Sequence, residues 1–355
     1  MNADSESHFR LGLLLAGGGA RVRRLVAGVG DGEDLFARLV DGGAPRALLD
    51  AGTSFAAAEA PEVLARTTRA GWQWIVPRDE AFPDRLKAIT DPPLGLFVRG
   101  KLNEAPTVTV VGSRKATPYG RQVARLLGEE LGRSGVVVVS GMARGVDAAA
   151  HRGAVETGGA SWAVWGTGPD RIYPREHAKL AEILAEHGAL ITEYPPGTPP
   201  RRHHFPERNR ILAGLAQAIV VVEAAARSGA LVTARLGLEE GREVLAVPGN
   251  IFSELSVGPN TLLRVGARPL LTPRDLFHAI GLEPPPAENP EAETGLMQHI
   301  GNGETLTIDE IAARANQAVA EVLAALLELE VAGEIHRDLD GRYARVRVFG
   351  QPVAE

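Results

Sequence analysis

The sequence predicts an α/β protein built on a doubly wound, mostly parallel sheet, with a small helical region before it and a small winged-helix-like module after it. Three observations predict this. Short β-branched runs alternate with helical stretches between about residues 105 and 281. Those runs are almost wholly apolar, as strands covered on both faces must be. A Pro- and Glu-rich stretch then precedes a short segment patterned helix, helix, hairpin.

The elements follow in order. Residues 1–104 form a helical domain and connector: Asp34–Val40 and Pro61–Arg66 have helical spacing with Gly-rich joints between them, and Phe82–Gly100 leads into the next unit. Residues 105–282 carry the strands Thr107–Val111, Val136–Val139, Ser161–Trp165, Ala189–Thr192, Ala218–Val222 and Val244–Val247. The segments between them are long enough for helical crossovers. Residues 283–294 are a linker rich in Pro and Glu. Residues 295–355 form the last module, with a short helix at Leu306–Ala312 and a second marked by Val319, Val322, Leu323 and Leu326. A hairpin at Ile335–Val346 turns at Asp340-Gly341.

Composition closes off several classes of function. Of the 355 residues, 45% are hydrophobic and 23% charged, which excludes a largely disordered chain. The 38 Lys+Arg against 44 Asp+Glu give a net charge of −6, so a wholly basic coat protein is excluded while a local basic face is not. The chain has no cysteine, so disulfides, thiolate catalysis and Cys-ligated metals are impossible. No run reaches the ~20 apolar residues of a membrane span. Leu11–Gly17 lacks the flanks of a signal peptide, because Asp4 and Glu6 precede it and Arg21, Arg23 and Arg24 follow. A cytoplasmic protein with no membrane association is expected.

In a parallel sheet, ligands bind beyond the carboxyl ends of the strands. Here each strand end carries glycine with a polar or charged neighbour. The first runs into Gly112-Ser113-Arg114-Lys115, the second into Ser140-Gly141 with Arg144-Gly145 and Asp147, and the third into Gly166-Thr-Gly168. The fourth ends at Glu193-Tyr194, and the fifth at Glu223 with Arg227, Ser228 and Gly229 beyond. Any βα turn uses glycine, so one such loop says little. Five in register, several with Arg or Ser beside the Gly, suit phosphate, since bare backbone and helix N-termini approach anions closely. The Gly-Lys-Ser/Thr ending of a P-loop is absent, and Arg171 stands where a dinucleotide fingerprint beginning at Gly166 needs glycine.

The segment Arg201-Arg202-His203-His204-Phe205-Pro-Glu-Arg208-Asn209-Arg210 gathers four Arg and two His around one aromatic ring. An exposed loop anchored by a core Phe explains it plainly. Arg forks for phosphate with a ring for bases explain it together with Arg114, Lys115 and Arg144 on the same expected edge. The adjacent histidines lack the spacing of a metal site. Residues 105–270 hold 19 Lys+Arg and 15 Asp+Glu, net +4, which leaves −10 for the remainder. The last module, 291–355, holds 5 Lys+Arg and 12 Asp+Glu, net −7, and its second helix has no base. That helix is unsuited to a major groove and suits protein contact or structure. Arg342, Arg345 and Arg347 leave open a DNA contact by the hairpin alone.

For catalysis the sequence offers little. Ser113, Ser140 and Ser228 adjoin glycine outside any Gly-x-Ser-x-Gly elbow. Asp147 and His151 share a helix face, as a pair or as a cap and a packed ring. Glu223 suits a general base or an anchor for loop amides equally.

These motifs resemble the DNA-processing protein A family, also called DprA or Smf. The resemblance rests on Val111–Gly120, Ser140–Asp147 with Ala150-His151, Gly166–Asp170 with Tyr173-Pro174, and Phe205–Leu215. It continues through Val222-Glu223, Ser228–Ala234, Val247–Gly249, Gly258–Asn260 and Gly266-Ala267. It covers about 105–270, and the flanking regions match the family layout. The resemblance implies an extended Rossmann-like sheet between a SAM-like helical domain and a winged-helix-like domain. It implies binding of single-stranded DNA, protection of incoming DNA in natural transformation, loading of RecA recombinase and a homodimer formed through the Rossmann-like domain. Arg114 is implied to contact phosphate in a pocket shaped by Gly112 and Ser113, with Arg202 near the family's basic position. Gly145-Val-Asp147 departs mildly from the family's Gly-Ile-Asp, and Gly168-Pro-Asp170 replaces its Gly-Leu-Asp, a change that bears on the shape of that loop.

The expected nucleic-acid site is therefore Gly112, Ser113, Arg114, Lys115, Ser140, Gly141, Arg144, Gly145, Arg201, Arg202, His203, His204, Phe205, Arg208, Asn209, Arg210, Ser228 and Gly229. No catalytic residue, metal ligand, cofactor or RecA-contact residue is assigned. The alternative is a nucleotide-binding or nucleotide-hydrolysing enzyme of a related Rossmann-like fold. Glu223-Ala-Ala-Ala-Arg-Ser-Gly-Ala lacks the Pro-Gly-Gly-x-Gly-Thr run of such hydrolases, which counts against it. A transcription factor acting through the last module is a third reading, opposed by the −7 balance.

Overall fold

A computed structural model describes residues 3–17, 23, 35–283, 295–301, 304–332, 335–338 and 340–345. The chain divides into two compact units, Met1–Glu283 and Pro284–Glu355. The linker expected at 283–294 lies, beyond its first residue, outside the described residues, as does Arg347.

The first unit is organised by a nine-stranded sheet. Its strands are β1 (Gln73–Ile75), β2 (Leu96–Gly100), β3 (Thr107–Val111), β4 (Val137–Ser140), β5 (Ser161–Val164), β6 (Ala189–Thr192), β7 (Ala218–Val221), β8 (Glu243–Ala246) and β9 (Arg268–Pro269). Their spatial order is β1-β2-β6-β5-β4-β3-β7-β8-β9. From β6 to β9 every pairing is parallel. The order runs outward both ways from β3, the doubly wound arrangement expected, and the central strands β3 to β7 are buried throughout.

The expected boundary at 104/105 falls inside this sheet. β2 pairs antiparallel with β6, Phe97 opposite Thr192, and β1 pairs antiparallel with β2. The apolar Leu96-Phe97-Val98 is a strand whose three side chains are buried, rather than a connector. The helices Ala3–Leu15, Leu35–Asp41, Arg46–Ala58 and Ala60–Arg69 lie upstream, the second and fourth on the two stretches read as having helical spacing. Leu11 and Ala60 share a core with Phe97, Trp165 and Leu180, and Trp72 meets Trp165 edge-on at 5.5 Å.

Local chemistry sets where the crossovers begin. Thr117 caps the Pro118–Arg133 helix by accepting from the Gly120 amide, and Pro118 takes the first turn, where no N–H is needed. This helix packs tightly on Val146–Glu156 because Gly128 carries no Cβ; one added there strikes the Ala150 carbonyl.

In the second unit, helices Ile308–Ala315 and Val319–Ala332 and the hairpin β10 (Ile335–Arg337) and β11 (Tyr343–Arg345) enclose a separate core. That core includes Leu296, Ile311, Val322, Leu326, Ile335 and Tyr343. Thr307 and Glu310 form a capping box, which starts the first helix two residues later than the apolar pattern suggested. Among the described residues no helix is long and apolar enough to cross a membrane.

Candidate nucleic-acid interface

The carboxyl ends of β3, β4 and β7 open onto one cleft of about 350 Å³, closed on its far side by the His204–Leu215 helix. The β3 loop forms its floor. Ser113 Oγ accepts from the Lys115 amide at 3.1 Å, and the Ser113 carbonyl accepts from the Val146 amide at 3.2 Å. Gly145 holds φ +77°, and a Cβ there lands on that same Ser113 carbonyl, so only glycine fits. Glu223 at the end of β7 ties the loop down: its carboxylate accepts from the Thr117 amide (2.9 Å) and hydroxyl (2.5 Å). Of its two sequence readings, anchor rather than base is the one the geometry occupies.

Behind the cleft, Asp147 accepts from the Gly141 and Ala143 amides, each at 3.2 Å. Burial pushes its carboxyl up, opposed chiefly by the nearby Arg208 guanidinium. Arg208 is itself buried and donates to the carbonyls of Gly141 (3.1 Å) and Val164. Burial lowers it to about 10, which leaves it charged at neutral pH. The Asp147–His151 pair does not form. His151 bonds Ser161 Oγ at 2.7 Å, and burial drives its imidazole down to about 3.

The outer wall is more basic. Arg114 lies over Phe205, its Cζ 5.0 Å from the ring centroid, and Tyr173 approaches the same ring at 5.5 Å. Gly166 makes room, since a Cβ there sits 3.1 Å from Phe205 Cδ1. Arg202 and Arg227 also line the cleft, and both are exposed. Ser228 caps the Gly229–Glu239 helix, and Asn209 Nδ2 donates to the Gly229 carbonyl at 3.1 Å. That helix therefore points its amino end into the cleft, a site that favours anions.

The structure brings together Gly112, Ser113, Arg114, Arg202, Phe205, Arg208, Asn209, Ser228 and Gly229. The other expected residues do not line the cleft. Ser140 is fully buried, its Oγ bonded to the Val110 carbonyl at 2.6 Å, and Gly141 is buried beside it. Arg144 is exposed but bound by Glu176 at 2.6 and 2.5 Å. Gly145 serves the loop's shape. His204 is buried, bonded to the Gly166 carbonyl at 3.2 Å and stacked on Tyr194 at 4.3 Å. Arg210 is buried between Glu193 and Asp91, a cluster that Arg23 joins by two bonds to Asp91 at 2.8 and 2.9 Å. Lys115, Arg201 and His203 are exposed outside the cleft lining. Arg227, noted beyond the fifth strand but not among the expected site residues, also lines the cleft; it directly precedes Ser228-Gly229, as Arg114 directly follows Gly112-Ser113. Among the described residues no cluster of His, Cys, Asp and Glu could hold a metal ion.

Comparison with known proteins agrees with this architecture. Residues 73–281 match the family model for DNA recombination-mediator protein A, and residues 281–341 match the DprA winged helix domain. Protein Smf of Escherichia coli strain K12 is 43% identical over 291 residues, covering 77% of each chain. DNA processing protein DprA of Bacillus subtilis strain 168 is 40% identical over 223 residues, 62% of this chain and 75% of that one. Among solved structures, DNA processing protein A of Streptococcus pneumoniae superimposes with a TM-score of 0.68 at 32% identity, over 76% of this chain and 97% of that one. DNA processing protein A of Helicobacter pylori, described for its single-stranded DNA binding mode, superimposes with a TM-score of 0.53 at 26% identity, over 59% and 96%.

Proposed function

The chain belongs to the DNA recombination-mediator protein A family, and from that premise we propose that its cleft binds single-stranded DNA and that the protein passes the covered strand to RecA recombinase. Arg114 held over Phe205 at the cleft mouth carries the reading. It sets a cation for phosphate against an aromatic wall for a base, with Arg202, Arg227 and a helix amino end close by. A paired duplex keeps its bases stacked inside, so they cannot enter a cleft of about 350 Å³. Asp147, His151 and Glu223 are each engaged by structural partners, which favours binding over catalysis.

Protection of incoming DNA in natural transformation follows if the cleft covers the strand faster than nucleases reach it. A second copy of the chain is proposed to pair through the sheet-bearing unit. The exposed Leu238 and Val265, before β8 and β9, mark an apolar area at that end of the sheet. Ultraviolet cross-linking of iodouridine-substituted oligothymidine, followed by peptide mapping, tests the reading. Adducts at Phe205 or Tyr173 support it; adducts confined to residues 295–345 overturn it.

A further inference from the structure

The strand has to leave the cleft in some direction, and the sheet topology names one. We propose that single-stranded DNA runs from the cleft across β7 to the turn after β8, where Phe252 stacks on a base between phosphates held by Arg227 and Arg274. This rests on the cleft being the single-strand site and deepens that reading.

β4, β3, β7, β8 and β9 are consecutive and parallel, so their carboxyl ends share one edge. Along that edge stand Arg144 after β4, Arg114 after β3, Arg227 after β7, Ile251-Phe252 after β8 and Arg274 after β9. Neighbouring strands lie ~4.8 Å apart, so β7 to β9 spans ~10 Å, on the scale of one or two nucleotides.

The two directions differ in charge. On the β4 side Arg144 is already bound by Glu176 at 2.5 Å. On the β9 side neither Arg227 nor Arg274 has a carboxylate partner among the described residues, and both are exposed. Asp275, next to Arg274, is occupied by the Leu271 and Thr272 amides at 2.8 and 2.7 Å. An anionic chain leaving Arg114 therefore meets an already paired guanidinium next to it after β4, and unpaired ones after β7 and β9.

Between them stands Phe252, 92% exposed, with Ile251 at 81%. A large apolar side chain so fully in water is unfavourable without a partner, and this one is not on a loose loop. Asn250 Oδ1 accepts from the Phe252 amide at 2.9 Å, and Asn260 exchanges two bonds with Gly249 at 3.2 and 3.0 Å. The Ala224 amide donates to Leu255 at 2.7 Å, which fastens the segment to the end of β7. An aromatic ring held in water on a firm turn, flanked by unpaired cations and continuous with the cleft, has the makings of a stacking platform for a nucleobase.

The test compares oligothymidines of about two and about fifteen nucleotides, the short one confined to the cleft and the long one reaching the turn. Fluorescence anisotropy is read with the full-length protein, Phe252→Ala, Phe252→Trp, Arg274→Ala and Arg114→Ala, with light scattering alongside. Phe252→Ala is expected to weaken the long oligomer about 5- to 100-fold and the short one less than about 2-fold. Phe252→Trp should restore the long oligomer. Arg274→Ala should lower the salt slope for the long oligomer by about 0.7. Equal effects on both lengths, or none on either, overturn the path. A changed molecular mass in Phe252→Ala also overturns it and assigns the turn to contact between copies. If Arg114→Ala leaves both lengths bound, the cleft itself is not the site, which is separable from failure of Phe252 alone.

Discussion

Replacing Arg114 by alanine removes the cation placed over Phe205, the cleft's aromatic wall. A hydrogen bond to a charged group contributes about 1.5–3 kcal/mol. Arg114 is exposed, so solvent weakens its contact with phosphate and the lower half of that range applies. About 1.5–2 kcal/mol corresponds to a 10- to 30-fold loss of affinity. One phosphate contact fewer also reduces the slope of log affinity against log salt by about 0.7 for a single strand. Anisotropy of labelled oligothymidine over a salt series reads both quantities. Arg144→Ala is the matched control, because Glu176 already holds that guanidinium at 2.5 Å, and it should change affinity less than about 2-fold. If Arg114→Ala keeps wild-type affinity and slope, or if Arg144→Ala loses as much, the assignment of phosphate binding to Arg114 is refuted.

Other outcomes follow from the same structure. Arg208→Leu leaves two buried carbonyls unpaired and Asp147 without its neighbouring cation, and should destabilise the fold by about 3–5 kcal/mol in urea denaturation; a loss under about 1 kcal/mol contradicts this. Gly145→Ala puts a side chain at φ +77° against the Ser113 carbonyl, so it should cost about 1–3 kcal/mol of stability and also weaken DNA binding by shifting the Arg114 loop. His151 has its folded pKa lowered to about 3, below that of the unfolded chain, so its contribution is present at neutral pH and lost as pH falls. Between pH 7 and pH 5 that loss is about 2 kcal/mol, and His151→Gln should remove that part of the pH dependence measured by urea denaturation. A chain ending at residue 283 should bind oligothymidine with unchanged affinity, since the second unit has its own core and a helix without bases.

The sheet was legible because strands buried on both faces must be nearly continuous in β-branched residues. Val136–Val139 and Ala218–Val222 have no other plausible fate, and the observed strands end within one residue of those expected. β1 and β2 were not read, because Gln73–Ile75 is three residues long and Leu96–Gly100 follows a Pro-Pro pair that suggests a connector. β2 takes its strand character from β6, a partner about ninety residues away, and β1 from β2 in turn, and no local pattern reports either.

The cleft was legible at its glycines and less so at its arginines. Gly112, Ser228 and Gly229 lie where loop backbone must come close to a ligand, and the pattern of strand ends located them. Three arginines of the 201–210 segment sit in three different surroundings. Arg202 faces the cleft, Arg208 supports the β4 and β5 ends from within, and Arg210 sits in a buried cluster with Asp91 and Glu193. Arg202 precedes the helix and helical phase separates Arg208 from Arg210; the helix start at His204 is fixed by packing against Gly166 and Tyr194 rather than by a cap visible in the sequence. Charge alone cannot tell a ligand-binding guanidinium from one that completes a core.

The central claim is that this cleft takes single-stranded DNA in preference to duplex or free nucleotide. Competition against labelled oligothymidine tests it most directly, with unlabelled single strand, duplex and nucleoside triphosphates as competitors at one fixed salt concentration. Only the single strand should compete well, and its advantage should shrink in Arg114→Ala. Strong competition by a free nucleotide, with weak binding of the oligomer itself, contradicts it and turns attention to nucleotide hydrolysis.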